Sequence, residues 1–350
     1  MTQSANAPKR THQIGVVGAG LIGCKHIDIA AAANNLHAIV DPTDAARDLA
    51  AEKSCLWMPD IDTYLSSHEP DGVIIATPNQ LHVAHGLACT RRGIPMLIEK
   101  PIADVADEAE KLVSEAAQSG VPILVGHHRR HNPIIKAAKA AIADGKLGNL
   151  ISVHAQFWLR KPDDYFDVAW RRAKGAGPIF INLIHDIDLL RHLCGEVVEV
   201  QAMETNQTRG HDVEDSAVVL LKFENGALGT VSVSDAIPAP WSWELTAKEN
   251  PAYPATNAHC YTIGGTLGAL SIPDLRLWNH PGEQSWWAPI DNNPVAFDDA
   301  DPLPLQFQHF LDVIDGECEP LASGAEGLKT LRVVEAIKAA GQTGTAQPVG

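Results

Sequence analysis

Three glycines at positions 18, 20 and 23, in GVVGAGLIGCKH, follow a short apolar run and open an Ala-rich stretch. In the first βαβ unit of an alternating chain, this GxGxxG spacing is chemistry for holding a pyrophosphate. Gly18 allows the tight turn. Gly20 lets backbone N–H groups around Leu21 and Ile22 approach the phosphates, and Gly23 lets the helix pack on the strand. The helix N-terminus adds partial positive charge. The next apolar run, 36–40, ends on Asp41. A carboxylate there can accept both hydroxyls of an adenosine ribose and repels a 2′-phosphate, and the nearest arginine is Arg47. This favours NAD over NADP. Asp41-Pro42 also reads as a helix-initiating turn, and the two readings are compatible.

A second set of residues can move protons. Glu99-Lys100-Pro101 closes another strand-like run, at the carboxyl end where open α/β sheets place ligands. A free lysine, with a pKa of about 10.4, is a poor base at neutral pH, and a site that lowers it to roughly 7–8 makes it useful. Burial and the positive charge of NAD⁺ push that way, while Glu99 alongside pushes the other way. His185, in FINLIHDIDLL, can share the proton or hold the oxygen. Asp188 lies at i+3 on the same helix face, where it either orients His185 or faces solvent. His127, His128 and His131 straddle a strand end without a Cys or carboxylate cluster, so no metal site is read there. Trp241 and Trp243 are candidates for lining a substrate pocket.

The elements that must position these groups change character along the chain. Strand-type runs at 14–17, 36–40, 73–76, 95–98 and 122–125 alternate with Ala-rich helices. The clearest helix follows Asp104, a candidate N-cap, shows Val105, Ala109, Leu112, Val113, Ala116 and Ala117 on one face, and stops at Gly120. Such alternation predicts a doubly wound parallel sheet over residues 1–133. From 134 to 350 the pattern is α+β. NLISVHAQFWL alternates, with Ile151, Val153, Ala155 and Phe157 on one side, and DSAVVLLKFENGALGTVSVS is two strands joined through Asn225-Gly226. These predict an open, mainly antiparallel sheet. A helix over 179–193 falls among the strands. The C-terminal helices, one with a capping box at Ser323 and Glu326, can pack back on the first domain. Residues 237–257 and 281–304 read as long irregular loops.

Bulk properties narrow the classes. A chain of 350 residues exceeds one ordinary core. Its net charge of −16, with only short basic stretches, argues against nucleic acid. No apolar run approaches a membrane span, and MTQSANAPKRTHQ is a polar tail without a signal-peptide core. Six scattered cysteines without CxxC fit reduced, mostly buried thiols of a cytoplasmic protein.

The combination of GxGxxG, Thr77-Pro78-Asn79 with His82, Glu99-Lys100-Pro101 and His185 with Asp188 resembles the glucose–fructose oxidoreductase and inositol dehydrogenase family (Gfo/Idh/MocA) over nearly the whole chain. The resemblance implies that Thr77, Pro78, Asn79 and His82 line an NAD cofactor, with Glu99 near the nicotinamide or its ribose. It also implies that Lys100 and His185 stand at the reacting carbon, that Arg129 or Arg130 contacts substrate or cofactor, and that IGGTLGAL at 263–270 is a strand turn. Relatives are commonly dimers or tetramers, which implies association through the open sheet.

The chain departs from the family in one place. Relatives acting on sugars and cyclitols often carry an aspartate four residues before the histidine. Here that residue is Ile181, with Asn182 beside it, which can hydrogen-bond a hydroxyl but cannot take a proton at neutral pH. Three functions follow as expectations. The leading one is NAD-dependent oxidation of a secondary hydroxyl of a sugar, sugar acid or cyclitol. The others are a dehydrogenase or reductase of a non-sugar diol, semialdehyde or other carbonyl compound, and a non-catalytic dinucleotide-binding regulator.

Overall fold

The computed structural model describes residues 11–350, so most of the N-terminal tail lies outside the described residues. The chain divides into two compact units, one ending at His127 and regaining Leu303–Leu328, the other holding His128–Pro302 and Lys329–Gly350. The division falls after residue 127, and the first unit takes in residues 303–328 of the C-terminal helical region.

The first unit runs β1 (Ile14–Val17), α1 (Leu21–Ala32), β2 (Leu36–Val40), α2 (Asp44–Lys53), β3 (Leu56–Met58), α3 (Ile61–Ser67), β4 (Gly72–Ile75), α4 (His82–Thr90), β5 (Met96–Ile98), α5 (Ala106–Gln118) and β6 (Ile123–Val125). All six strands are parallel, in the order β3-β2-β1-β4-β5-β6. β1, β4, β5 and β6 are buried along their whole length, because helices cover both faces of such a sheet. The strand order reverses between β1 and β4, which places the ligand crevice at their carboxyl ends. β3, a three-residue strand, was not foreseen. Asp104 does not cap α5: the N-cap is Val105, without a side-chain bond, and Val105 is exposed. Asp107 and Glu108 in the first turn supply the negative charge that a helix start favours. Gly120 does end the segment in the left-handed region.

The second unit continues with α6 (Pro133–Ala143), β7 (Leu150–Trp158), α7 (Pro178–Ile181), α8 (Leu183–Cys194), β8 (Val197–Thr205), β9 (Ser216–Phe223), β10 (Leu228–Ser234), α9 (Trp243–Thr246), β11 (Tyr261–Gly265), β12 (Ala269–Ile272), β13 (Arg276–Asn279) and β14 (Asp291–Pro294). After α10 (Pro302–Ile314) the chain enters α11 (Gly324–Thr343) and ends in β15 (Gln347–Pro348). The nine-stranded sheet has the order β14-β13-β12-β11-β7-β10-β9-β8-β15, and its only parallel pair is β7 with β10. The expected hairpin β9–β10 forms around Gly226, and the stretch 263–270 turns from β11 into β12. The inner face carries Val153, Ala155, Phe157, Val219, Leu221 and Val231 against Ile135, Ile184 and Ile187 of the helices. A fully buried side chain of this size contributes about 1.5–3 kcal/mol, so this layer is what holds α8 in place.

Several expectations need correction. Ile151 is exposed, at the fraying edge of the alternation rather than in the core. The helix over 179–193 is two helices broken at Asn182, whose carbonyl accepts from His185 three residues on. The stretch 237–257 contains α9, and 281–304 contains β14 and the start of α10. None of the six cysteines is paired, but only Cys89, Cys194 and Cys260 are buried. Ser323 does cap α11, accepting from Glu326 N at 3.3 Å.

Candidate functional site

In the first unit the carboxyl ends of β2, β1, β4 and β5 bring Asp41, the glycine loop, Thr77 and Glu99-Lys100 to one edge. Gly18 has φ +97°, and a β-carbon there would meet the Ala76 carbonyl oxygen at 2.6 Å. A β-carbon on Gly23 would meet the Gly18 oxygen at 2.0 Å, so α1 starts hard against the turn. Gly20 faces open space and caps α1 without a side-chain bond. A helix start leaves N–H groups without intrahelical partners, and the space at Gly20 is open, which fits a pyrophosphate. Leu21 is exposed and Ile22 partly buried at the same turn.

Asp41 is fixed at the end of β2. Its Oδ2 accepts from Ala19 N (2.9 Å), and its Oδ1 accepts from Thr43 N (2.9 Å) and Thr43 Oγ1 (2.6 Å). Burial raises its proton affinity, but the bonds from Thr43 and Ala19 outweigh this and keep the carboxylate below its ordinary range. The turn reading and the ribose reading thus use the same anchored anion. Arg47 is engaged by Asp44 at 2.6 Å and lies 5.6 Å from the Trp57 ring.

Two histidines pin this edge. His82 was expected at the cofactor, but it is buried, with Nδ1 2.8 Å from the Pro101 carbonyl and Nε2 2.9 Å from the Thr77 carbonyl. It ties the loop after β4, with Pro78 and Asn79, to the loop after β5. His26 of α1 donates to Glu99 Oε1 at 2.8 Å, and Lys100 N donates to Glu99 Oε2 at 3.2 Å. Glu99 therefore links the phosphate-facing helix to the lysine's backbone. His26 lies only six residues after Gly20, yet neither period nor motif marks it.

In the second unit α8 presents His185 near its start, next to the turn formed by His128–His131. Arg130 is not available to a substrate. Its Nε and NH2 donate to Asp188 Oδ2 (2.9 Å) and Oδ1 (2.8 Å), and both side chains are almost fully buried. Thr330 donates to Asp188 Oδ1 at 3.1 Å and accepts from Arg191. Asp188 is therefore buried rather than solvated, and its carboxylate is held by Arg130 and Thr330. Arg129 is buried too, donating to Glu244 Oε1 at 2.7 Å, 3.7 Å from Asp186 and 5.5 Å from the Trp243 ring. Trp243 is core, stacked on Tyr261, whereas Trp241 is half-exposed against Trp158. The Asn182 Oδ1 atom is buried without a hydrogen-bond partner.

Besides His26, the residues not singled out in the sequence include Asp186, Glu244, Glu249 and Tyr261. Tyr261 OH donates to Asp186 Oδ1. Burial pushes Asp186 up to about 7, against the pull of Arg129. Two glutamates in the Pro- and Trp-rich stretch 237–257 were the available signal. Among the described residues, no group of three or more His, Cys, Asp or Glu side chains is arranged to hold a metal. No helix among them is long and apolar enough to cross a membrane.

A doubly wound nucleotide sheet followed by a nine-stranded sheet, with these loop residues, defines an NAD-binding oxidoreductase. Comparison bears this out. The profile "Oxidoreductase family, NAD-binding Rossmann fold" matches residues 12–127, and "GFO/IDH/MocA C-terminal domain" matches residues 135–271. The protein belongs to the Gfo/Idh/MocA family. It is 30% identical to the rhizopine catabolism protein MocA of Rhizobium meliloti, over 65% of this chain and 72% of that protein. It is also 30% identical to an inositol 2-dehydrogenase of Rubrobacter xylanophilus, over 75% and 71%. Among solved structures it is similar to the WlbA dehydrogenase of Bordetella pertussis in complex with NADH and UDP-GlcNAcA, with a TM-score of 0.77, 26% identity, and coverage of 97% and 99%.

Proposed function

We propose that this oxidoreductase uses NAD rather than NADP to oxidise a secondary hydroxyl of a sugar, sugar acid or cyclitol, with Lys100 and His185 moving the proton. The observation that carries the reading is the chain of contacts α1–His26–Glu99–Lys100. It fixes the lysine's backbone to the helix whose open N-terminus fits the pyrophosphate. Gly18, Gly20 and Gly23, with the N–H groups at Leu21 and Ile22, would hold the phosphates, and Asp41 the adenosine ribose. Thr77, Pro78 and Asn79 form the wall that His82 holds in place. When bound, NAD⁺ supplies the two-electron acceptor for the hydrogen on the alcohol carbon. The Lys100 amine takes the hydroxyl proton, which leaves a ketone, and returns it in the reverse direction. His185 holds the same oxygen or shares its proton, and Asn182 offers a side-chain amide. The inositol 2-dehydrogenase relative supports the cyclitol class.

A second reading is a non-sugar diol or semialdehyde. It is favoured by Ile181, an apolar residue one turn ahead of His185, and by the half-exposed Trp241 on Trp158. A panel of cyclitols, sugars, sugar acids and aromatic diols with NAD⁺, followed by absorbance of the reduced coenzyme, separates the two. Turnover confined to the aromatic compounds overturns the first.

We also infer that copies associate through the outer face of the nine-stranded sheet, as a dimer or tetramer. Met203, Val218, Leu220 and Leu228 are all more than half exposed there. Glu199 and Lys222 on the same face are cross-strand partners and offset each other's charge. In a chain of net charge −16, a neutral apolar face is where self-repulsion is least.

A further inference from the structure

Past the end of β7 the chain becomes locally basic. Arg160, Lys161, Arg171, Arg172 and Lys174 fall within fifteen residues of a chain whose net charge is −16. With the connection between β8 and β9, this segment encloses a cavity of about 430 Å³, a size suited to a small ligand. Its wall sets Arg160, Arg172 and Arg209 against Asp163 and Asp167. Arg209 is the fixed member. Its side chain is 8% exposed and lies 4.3 Å from the Phe166 ring. Its Nε donates to Asp235 Oδ1 at 2.8 Å, and its NH2 donates to the carbonyls of Lys161 and Asp235. Its NH1 has only a longer contact, to Asp163 Oδ1 at 3.5 Å. The same oxygen accepts from Arg160 NH2 at 3.2 Å. The Asp163 side chain is 83% exposed, so a carboxylate lying mostly in water bridges the two guanidiniums. Arg172 is exposed and makes no side-chain hydrogen bond or ion pair among the described residues. The charges behind the wall are matched. Asp235 also faces Lys161 Nζ at 3.4 Å, and Asp215 accepts from the N–H groups of Thr208 and Arg209 and from the Ser216 hydroxyl.

We infer that this cavity binds the oxyanion of a small molecule, a carboxylate or phosphate group, and that Asp163 is its internal stand-in. Two guanidiniums from different segments converge on one carboxylate oxygen, and their planar forks suit an oxyanion. Asp163 is weakly held. Its contacts are long and exposed, and such surface pairs contribute little, so its exchange for a ligand's oxyanion costs little. Arg209 is the opposite: three hydrogen bonds and the Phe166 ring fix it before any ligand arrives, which keeps the ordering cost of binding low. Once Asp163 turns out to water, three guanidiniums face the single carboxylate of Asp167. An entering anion therefore meets a net positive wall inside an acidic protein. Phe166 and Ala236 give the wall an apolar part for the uncharged body of the ligand.

The test is calorimetric titration of the full-length protein at constant ionic strength, with inorganic phosphate in one arm and citrate in the other. Saturable binding at millimolar or lower concentration is expected in at least one arm, and the arm that binds tells phosphate from carboxylate recognition. Arg172→Gln should weaken that binding about fivefold, the effect of one unit charge at roughly 4 Å in water. Asp163→Asn should tighten it by a similar factor, because the competing carboxylate is gone. Both residues are exposed, so neither variant disturbs the core. A loop that only holds its own shape would not give opposite signs for the two substitutions. Lys146→Gln, an equal change of charge between α6 and β7, should leave the affinity as it is. The inference is overturned by no saturable binding in either arm, by unchanged or weaker binding in Asp163→Asn, or by equal weakening in Lys146→Gln. Binding is read without turnover, so the result is independent of the proposed reaction.

Discussion

Replacing Asp188 with asparagine decides whether the Arg130–Asp188 pair is structural or catalytic. The substitution keeps shape but removes the charge that accepts two bonds from Arg130, at 2.9 and 2.8 Å, where the side chains are 2% and 1% exposed. Breaking such a pair from one side removes the carboxylate that faces a buried guanidinium, at a cost of roughly 3–5 kcal/mol. For a unit of about 200 residues each kcal/mol moves the midpoint by about 2–4 °C, so the Tm should fall by roughly 6–20 °C. Calorimetry is the assay, because it separates the transitions of a chain with two units. The double variant Arg130→Met with Asp188→Leu removes both charges together and should recover most of the loss, since an apolar pair of similar volume is often neutral in place of a buried ion pair. A midpoint that moves by less than about 2 °C in Asp188→Asn, equivalent to under ~1 kcal/mol, would refute the reasoning. If turnover nonetheless collapsed, Asp188 would return to the catalytic set.

Asp41→Ala should weaken NAD⁺ binding about 10–100-fold through loss of charge-assisted bonds to the ribose. NADP⁺ binding should change little, and an unchanged ratio in fluorescence titrations would leave Asp41 as a turn residue only. Glu249, held at about 2 against an ordinary 4.5 because His128, Arg129 and Trp243 outweigh burial, has a depressed folded-state pKa, so its contribution is present above pH 4.5 and is lost as pH falls towards 2. That contribution is about 3 kcal/mol, and the stability difference between wild type and Glu249→Gln in urea should shrink across this window. A difference flat with pH contradicts the assignment. Leu220→Glu on the outer sheet face should reduce the sedimenting mass to that of one chain, and an unchanged mass would exclude this face as the contact.

The parts of the fold legible in the sequence were those set by short-range pattern. The buried strands Ile14–Val17 and Gly72–Ile75 read as apolar runs at 14–17 and 73–76, and Gly226 marks its hairpin by turn chemistry. The glycine turn was legible because its spacing fixes the backbone, with Gly18 at φ +97° and Gly23 hard against its oxygen. Pairings across the chain were not. Arg130 meets Asp188 across 58 positions, and His128 meets Glu249 across 121. A helical period shows which face Asp188 is on but not what it faces. His82 lay in a recognised motif, yet its role came from two carbonyl groups, which no side-chain pattern encodes. β3 was missed because three residues carry no period.

The central claim is that the first unit holds NAD and that Lys100 exchanges the proton with the substrate's hydroxyl. It is tested most directly by Lys100→Met, assayed on whichever alcohol of the panel the wild type oxidises, alongside NAD⁺ binding by fluorescence. The account predicts that turnover falls by at least about 100-fold, the low end for losing a general acid–base group, while NAD⁺ affinity stays within a few-fold. Turnover close to that of the wild type, with the coenzyme still bound, would contradict it.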